Sequence, residues 1–121
     1  NALITDVGLA RYVDALAVEL PYGRKRALEI ATTLALEPAI LLLDEPMAGM
    51  GREDIARIST LIRAVAADRT VLMVEHNLSV VADLCDRITV LTRGQVLAEG
   101  DYKTVSADPA VREAYLGTGH A

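Results

Sequence analysis

The stretch Leu41-Leu42-Leu43-Asp44-Glu45-Pro46 decides how this sequence is interpreted. An apolar run from Ile40 to Leu43 lies between two prolines and has the length of a strand. Continuous apolar character is typical of a strand that is buried on both faces of a parallel sheet. Ligands bind beyond the carboxyl ends of the strands in open α/β sheets, so we expect Asp44 and Glu45 at a ligand-binding edge.

Two neighbouring carboxylates on an extended chain point in different directions and can do different work. One can hold a hydrated Mg²⁺, which binds proteins through one or two carboxylates together with substrate phosphates. The other can polarise a water molecule. The alternative is that both acids only cap a turn or the next helix, which is the more frequent role of an acid pair considered alone.

A second apolar segment, Thr70 to Glu75, is predicted to be another buried strand, and His76 follows it. The carboxyl ends of parallel strands meet at one edge, which places His76 near Glu45. Histidine can donate a hydrogen bond to a phosphate oxygen or orient a water. The alternative is a histidine that is bonded locally near a helix N-terminus.

The remaining pattern predicts the order β-α-β-α-β-β-α-α and therefore an α/β fold with a mostly parallel sheet. The helix before the first strand carries an apolar stripe at helical spacing. Arg93-Gly94 is expected to close a hairpin between two late strands. Asn77, Asp101 and Asp108-Pro109 are predicted to begin the short helices.

The segment Leu20 to Arg26 opens the first strong helix and carries three cations in a row. Gly23 permits a close backbone approach, and free N–H groups at a helix start attract anions. Cations there oppose the helix dipole, and a nearby anion would offset this. The sequence supports an alternative to anion binding equally well, namely a solvated basic turn that pairs with Glu19 or Glu29.

Together these segments resemble the C-terminal half of an ABC-type ATPase, the nucleotide-binding subunit of a transporter. Leu20–Arg24 is similar to the signature motif, here called the signature turn. Ile40–Glu45 is similar to the Walker B strand with its adjoining glutamate, and residues 46–51 stand where the D-loop belongs. His76 is similar to the switch histidine, and the stretch from Asp86 to Gly100 resembles the hairpin that follows.

A narrower resemblance is to the ATPase subunits of branched-chain amino-acid importers, carried by Tyr22, by residues 28–31 and by residues 108–117. The implied fold is a partial P-loop NTPase (ABC ATPase) fold with a mostly parallel sheet, flanking helices and a C-terminal hairpin. It lacks the Walker A strand and loop. The implied segments are 1–38 (end of the helical subdomain and signature helix), 39–100 (Walker B, D-loop, switch and hairpin) and 101–121 (C-terminal helices).

The resemblance also implies roles at the strand edge. Asp44 would bind Mg²⁺ through water, and Glu45 would be the general base for the attacking water. His76 would contact the γ-phosphate of ATP.

Further roles belong to a head-to-tail dimer in which each ATP lies between two subunits. Tyr22, Gly23 and Arg24 would contact the ATP that the other subunit holds. Gly49 and Gly51, in the D-loop, would lie beside the nucleotide.

The implied partners are a second ATPase subunit, transmembrane permease subunits and, indirectly, a substrate-binding protein. The implied location is the cytoplasmic face of the cell membrane, as a peripheral subunit. Three residues depart from the family pattern. Pro21 replaces the signature serine, Arg24 replaces its glutamine, and Gly51 replaces the D-loop aspartate.

The composition of the chain excludes several classes of protein. The chain has 121 residues, a net charge of −5 and only 3% aromatic residues, which argues against a nucleic-acid binder. A single cysteine, Cys85, excludes an internal disulfide, and no apolar run approaches the ~20 residues of a membrane-spanning helix. Because the chain begins with Asn1, we expect it to be cut from a longer polypeptide.

A phosphate-cradling loop requires Gly-Lys-Ser/Thr, but the only lysines are Lys25, after Arg24, and Lys103, after Tyr102. We therefore expect these residues alone not to hydrolyse ATP. One alternative is a non-catalytic half-domain that contributes signature and D-loop contacts to a partner. A less favoured one is the lobe of a DNA-maintenance ATPase, which the acidic charge and the lack of heptads oppose.

Overall fold

The computed structural model describes residues 2–117, which divide into two compact units between His76 and Asn77. Residue 1 and residues 118–121, which belong to the predicted first and last segments, lie outside the described residues. The first unit contains α1 (Ala2–Asp6), two 3₁₀ turns (Ala10–Tyr12 and Ala17–Glu19), α2 (Tyr22–Leu34), β1 (Ile40–Asp44), α3 (Arg52–Ala66) and β2 (Thr70–Val74). The second contains α4 (Leu78–Leu84), β3 (Ile88–Thr92), β4 (Gln95–Gly100), α5 (Tyr102–Ala107), α6 (Pro109–Val111) and a π-helical segment (Arg112–Gly117).

Helix α2 forms where the apolar stripe predicts it. Its buried face consists of Gly23, Ala27, Ile30, Ala31 and Leu34. The chain leaves the helix after Leu34 and reaches a left-handed residue, Glu37, at φ 52° before Pro38. Because proline cannot continue a helix, Pro38 separates α2 from β1.

Helix α3 is amphipathic and follows the loop after β1. Glu53 and Asp54 lie in its first turn and Arg63 in its last, which matches the helix dipole at both ends. Its buried apolar residues are Ile58, Leu61, Ile62 and Val65. This face belongs to the core of the first unit, together with the buried face of α2.

Strands β1 and β2 pair in parallel, in a register that runs from Ile40 opposite Thr70 to Asp44 opposite Val74. The prediction of parallel strands is confirmed. Because the strands end together, the residues that follow them start from the same edge.

The prediction that both strands are buried on both faces is wrong for the described chain. Leu41 is 1% exposed, but its neighbours Ile40 and Leu42 are 60% and 69% exposed, and Leu72 and Val74 are similarly open. Side chains alternate between the two faces of a strand, so one face of the pair packs against the core and the other meets solvent. Within residues 2–117 this sheet has two strands and no second covering layer.

The second unit is built on the predicted hairpin. Strands β3 and β4 are antiparallel, with a bulge between Val90 and Leu91. Arg93 and Gly94 have φ values of 50° and 76°, the left-handed pair that a two-residue type I′ turn requires. Tyr115 of the π-helical segment donates a hydrogen bond from its hydroxyl to the carbonyl of Leu91.

The predicted helix starts of the second unit are confirmed. The side chains of Asn77, Asp101 and Asp108 accept hydrogen bonds from backbone N–H groups in the first turns of α4, α5 and α6. Pro109 occupies the first turn of α6, where a missing N–H costs nothing. No helix described within residues 2–117 has the length and apolar character needed to cross a membrane.

Candidate functional site

The edge formed by the carboxyl ends of β1 and β2 gathers the acids and the histidine singled out from the sequence. Asp44 is the last residue of β1 and is exposed. The backbone N–H of Glu45 donates to the carbonyl of Val74 at 2.7 Å, which extends the pairing by one residue. Glu45 then adopts φ 45°, so the chain turns sharply and re-aims the glutamate side chain.

Glu45 and His76 meet at this edge. Oε1 of Glu45 lies 2.9 Å from Nδ1 of His76, and the two side chains are 46% and 74% exposed. The structure thus brings together two residues that the sequence placed at one edge. A carboxylate with an imidazole beside it and solvent around it has the composition of a water-activating pair.

Glu75 was not singled out from the sequence, although it lies between the strand and His76. Its side chain is only 1% exposed, and its Oε1 accepts from the backbone N–H of His76 at 3.0 Å. The same oxygen is 3.8 Å from Nδ1 of His76. Glu75 therefore orients His76 through this hydrogen bond to its backbone. The signal available in the sequence was an acid at the last position of an apolar segment.

The loop after Glu45, at the D-loop position, is held by a turn. The N–H of Ala48 donates to the carbonyl of Glu45 at 3.1 Å, and Met47 is buried at 4% exposure. Gly49 follows in a left-handed conformation, at φ 76°. A Cβ atom on Gly49 would lie 3.8 Å from the ring of Tyr22, so this loop and the start of α2 are neighbours.

Gly51 is the N-cap of α3, in extended backbone at φ −79°. Apart from Gly51 and its two chain neighbours, no atom of the described residues lies within 4 Å of the position of an added Cβ. The departure from aspartate at this position therefore leaves the first turn of α3 without a capping side chain.

The signature turn contributes three predicted site residues, which differ in what they contact. Tyr22 is half exposed. Arg24 donates from Nη1 to the carbonyl of Gly8 at 2.8 Å, and its guanidinium stacks over Tyr12 at 5.4 Å. Arg24 thus contacts the segment before α2.

Gly23 is buried against Asp54 of α3. A Cβ atom at Gly23 would lie 2.6 and 2.8 Å from the two carboxylate oxygens of Asp54. Within the described residues no side chain caps the first turn of α2, and that turn contains no acid. Asp54, which also pairs with Arg57 at 2.6 Å, supplies from another helix the anion that the cations and the dipole of α2 favour.

Arg26 makes more contacts than its place among three consecutive cations indicates. Its Nη2 lies 3.2 Å from the hydroxyl of Tyr22 and 3.5 Å from the carbonyl of Glu45. Its Nη1 forms an ion pair with Glu29 at 3.2 Å. The spacings Tyr22–Arg26 and Arg26–Glu29 indicate the two helical contacts. No sequence signal indicates the contact with Glu45.

A metal at this edge would depend on Asp44. Within residues 2–117 no group of three or more His, Cys, Asp or Glu side chains could hold a metal ion. One exposed carboxylate fits a Mg²⁺ that arrives with nucleotide phosphates and keeps several of its waters.

Comparison with known proteins gives matches along almost the whole chain. Residues 95–121 match the family model described as "Branched-chain amino acid ATP-binding cassette transporter". The chain is 35% identical over 116 residues to the high-affinity branched-chain amino acid transport ATP-binding protein BraF of Pseudomonas aeruginosa, covering 94% of this chain and 46% of that protein. It is 36% identical over 113 residues to LivG of Escherichia coli, a protein of the same description, covering 92% and 44%.

Solved structures agree with the sequence relatives. The ADP conformation of MJ1267, an ATP-binding cassette of an ABC transporter, superposes with a TM-score of 0.86 at 31% identity, over 96% of this chain and 48% of that one. The structure of cbiO1 from Clostridium perfringens, part of an ABC transporter complex, gives a TM-score of 0.81 at 28% identity.

This chain corresponds to the C-terminal half of an ABC ATPase cassette. It spans about half the length of the curated relatives it matches. The α/β partial ABC ATPase fold implied by the sequence is confirmed, and its first unit contains the parallel pair β1–β2.

The sequence resemblance places the Walker B and switch region at the strand edge of Asp44, Glu45 and His76, and the signature turn at the start of α2. These placements stay predictions. A Cβ built on Gly49 would lie 3.8 Å from the ring of Tyr22, so the segment predicted as the D-loop lies next to the start of α2 within one chain.

Proposed function

We propose that this chain is the part of an ABC transporter's ATP-binding subunit in which Glu45 activates the water that attacks ATP. The observation that supports this most directly is the pair formed by Glu45 and His76 at the ends of two paired parallel strands, 2.9 Å apart and open to solvent. A general base must stand within hydrogen-bond distance of the water it deprotonates. The carboxylate of Glu45 is exposed, so a water can reach this distance.

Asp44 and His76 complete the edge in this proposal. Asp44 holds, through water, the Mg²⁺ that accompanies ATP. The ion neutralises charge on the phosphates when it is bound. With both ring nitrogens protonated, His76 donates to Glu45 through Nδ1 and to the γ-phosphate through the other nitrogen. Glu75 holds the backbone of His76 in place. Each side chain then has a separate task at one edge.

The second half of the site is supplied across a head-to-tail dimer. Tyr22 and Arg24 contact the ATP held by the other subunit, with Gly49 and Gly51 beside it. Gly23 is buried against Asp54 and contacts that ATP only if Asp54 moves away. Tyr22 supports this assignment because it is half exposed on the outer side of α2. Arg24 reaches a nucleotide only if it exchanges its bond to Gly8, so its contribution requires a rearrangement of that side chain.

The proposed cargo is a branched-chain amino acid, and the proposed direction is import. The match of residues 95–121 and the descriptions of BraF and LivG support the cargo. The direction rests on the sequence resemblance to importer subunits. The lipopolysaccharide export protein LptB of Acidithiobacillus ferridurans is 36% identical over 95% of the chain, so identity alone does not select the cargo. The partners are a second ATPase subunit, permease subunits and, indirectly, a substrate-binding protein, at the cytoplasmic membrane face.

We propose further that residues 1–121 alone do not hydrolyse ATP, because they contain no Gly-Lys-Ser/Thr loop to cradle the phosphates. The segments 1–38, 39–100 and 101–121 then serve as signature helix, catalytic edge with hairpin, and C-terminal helices. The competing possibility is a non-catalytic half-domain that contributes its signature turn and D-loop to a partner.

Two measurements test the proposal. An antibody to a C-terminal peptide reports the intact mass of the polypeptide that source cells make. Mg²⁺-dependent ATP turnover is then measured on that natural polypeptide and on its Glu45→Gln variant. We expect about twice the mass of this chain and a loss of turnover of roughly a hundredfold or more. Glu53→Gln removes the same charge from the exposed start of α3 and should retain turnover. A mass near that of 121 residues without turnover would support the half-domain instead.

A further inference from the structure

We propose that Arg26 is a positioning residue that links the signature turn to the catalytic glutamate within one subunit. This inference rests on the proposed function and goes beyond it. Arg26 retains 25% exposure of its side chain. One of its terminal nitrogens, Nη2, lies between a residue assigned to one ATP site, Tyr22, and a residue assigned to the other, Glu45.

Glu45 requires such support because its backbone is left-handed, at φ 45°. This conformation costs a residue with a Cβ roughly 1–2 kcal/mol. It persists where surrounding contacts impose it. The carbonyl of Glu45 accepts from the N–H of Ala48 at 3.1 Å and faces Nη2 of Arg26 at 3.5 Å. A guanidinium charge beside that carbonyl stabilises the turn that aims the carboxylate at His76.

Tyr22 is held by the same guanidinium. Its hydroxyl is 3.2 Å from Nη2 of Arg26, and its ring centroid is 5.8 Å from the guanidinium carbon. A Cβ built on Gly49, in the segment assigned as the D-loop, would lie 3.8 Å from this ring. A displacement of Tyr22 therefore moves a hydrogen-bond partner of Arg26, and Arg26 in turn changes its contact with the carbonyl of Glu45.

The polar contacts of Arg26 fit this linking role better than a packing role. Nε of Arg26 is buried and has no hydrogen-bond partner among the described residues, which costs stability. Nη1 is engaged by Glu29, and Nη2 is shared between Tyr22 and Glu45. Lysine, with a single point charge, cannot reproduce this planar fork.

In the head-to-tail dimer the consequence is communication between the two ATP sites. Tyr22 contacts the nucleotide of the opposite subunit, whereas Glu45 acts on the nucleotide of its own. Arg26 transmits the occupancy of the first site to the geometry of the second. The family places a carboxylate in the D-loop, and Gly51 lacks it. The communication between the two ATP sites is therefore assigned to the signature helix, α2.

The first test measures amide hydrogen exchange at Ala48 in the natural polypeptide, without nucleotide. Arg26→Gln should accelerate exchange about three- to tenfold, because the turn at Glu45 loses one of its two polar supports. Arg26→Lys keeps the charge and should still accelerate exchange. Arg63→Gln, which removes a cation from the last turn of α3, is the control and should leave Ala48 unchanged. Unchanged exchange in both Arg26 variants would overturn the proposal.

The second test is a double-variant cycle on ATP turnover. Tyr22→Phe and Arg26→Gln should each lower kcat about three- to tenfold and change KM less than about twofold. Together they should lower kcat no further than Arg26→Gln alone. Additive losses would contradict the link. If the natural polypeptide shows no turnover at all, the proposed function fails, and the exchange at Ala48 still decides whether Arg26 supports the turn.

Discussion

The carboxylate of Glu45 and the imidazole of His76 stand 2.9 Å apart, although 31 residues separate them in the chain. Only the parallel register of β1 and β2 brings them together, since Asp44 pairs with Val74 and the next residues leave the sheet side by side. The register is thus a functional feature of this fold. A shift by one residue would move Glu45 away from His76 and reverse the faces of one strand.

The role of His76 can be separated from that of Glu45 by substitution. In the natural polypeptide we expect His76→Ala to lower kcat for ATP by about ten- to a hundredfold, the value of one charge-assisted hydrogen bond. His76→Gln retains a donor and should lose less. The measurement is steady-state ATP turnover with both variants. Equal losses in the two would show that the donor is not what His76 contributes.

The closeness of Gly23 to Asp54 predicts that Gly23→Ala changes the unfolding free energy in opposite directions with and without the Asp54 side chain. Gly23→Ala places a methyl group within 2.8 Å of both oxygens of Asp54, so it should destabilise the chain by about 1–3 kcal/mol. In an Asp54→Ala background that obstacle is absent. The same substitution should then stabilise the helix by up to about 1 kcal/mol, since alanine is the better helix former.

Denaturant unfolding of the 121-residue chain, followed by circular dichroism, measures all four members of this cycle. The quantity compared is the change in unfolding free energy caused by Gly23→Ala in each background. The same sign in both backgrounds would show that Asp54 does not determine why glycine stands at position 23.

Local sequence signals predicted much of this fold. The helix α2, the caps at Asn77, Asp101 and Asp108 and the turn at Arg93-Gly94 all depend on residues close together in the chain. Such features follow from short-range sterics and hydrogen bonds, which sequence patterns encode directly.

Long-range features were less accessible. Nothing in the sequence indicates that Arg26 approaches the carbonyl of Glu45, or that Gly23 faces Asp54. The open face of β1 was also missed, because an apolar run indicates what a strand can bury and not what covers it. The meeting of Glu45 and His76 was predicted, because two strand ends at one edge require only the parallel topology.

The lowered pKa of Asp101 predicts that the start of α5 loses order at low pH. The backbone N–H and the hydroxyl of Thr104 lower the pKa of Asp101 below its ordinary value of 3.8. A carboxyl whose pKa is lower in the folded state stabilises that state above its unfolded pKa. The contribution is lost as the pH falls through the folded pKa. The cap of α5 should therefore weaken only below about pH 3.8.

The amide proton shift of Thr104, recorded against pH by NMR, measures this directly. In the parent chain it should titrate with a midpoint below 3.8, since Oδ1 of Asp101 accepts from that N–H at 2.7 Å. Asp101→Asn keeps an acceptor for the cap but removes the ionisation. Its shift should be flat through the same range, and a persistent titration would assign the effect to another carboxyl.

The two faces of β1 provide the last prediction, a comparison between adjacent leucines. Leu41 is 1% exposed and Leu42 is 69% exposed. Leu41→Ala should cost about 2–5 kcal/mol of unfolding free energy because it leaves a cavity in the core. Leu42→Ala removes a side chain that already meets solvent, so it should cost less than about 1 kcal/mol. Denaturant unfolding of the dilute 121-residue chain measures both. A cost at Leu42 that equals the cost at Leu41 would show that this face is covered in solution, and its dependence on protein concentration would reveal whether a second copy covers it.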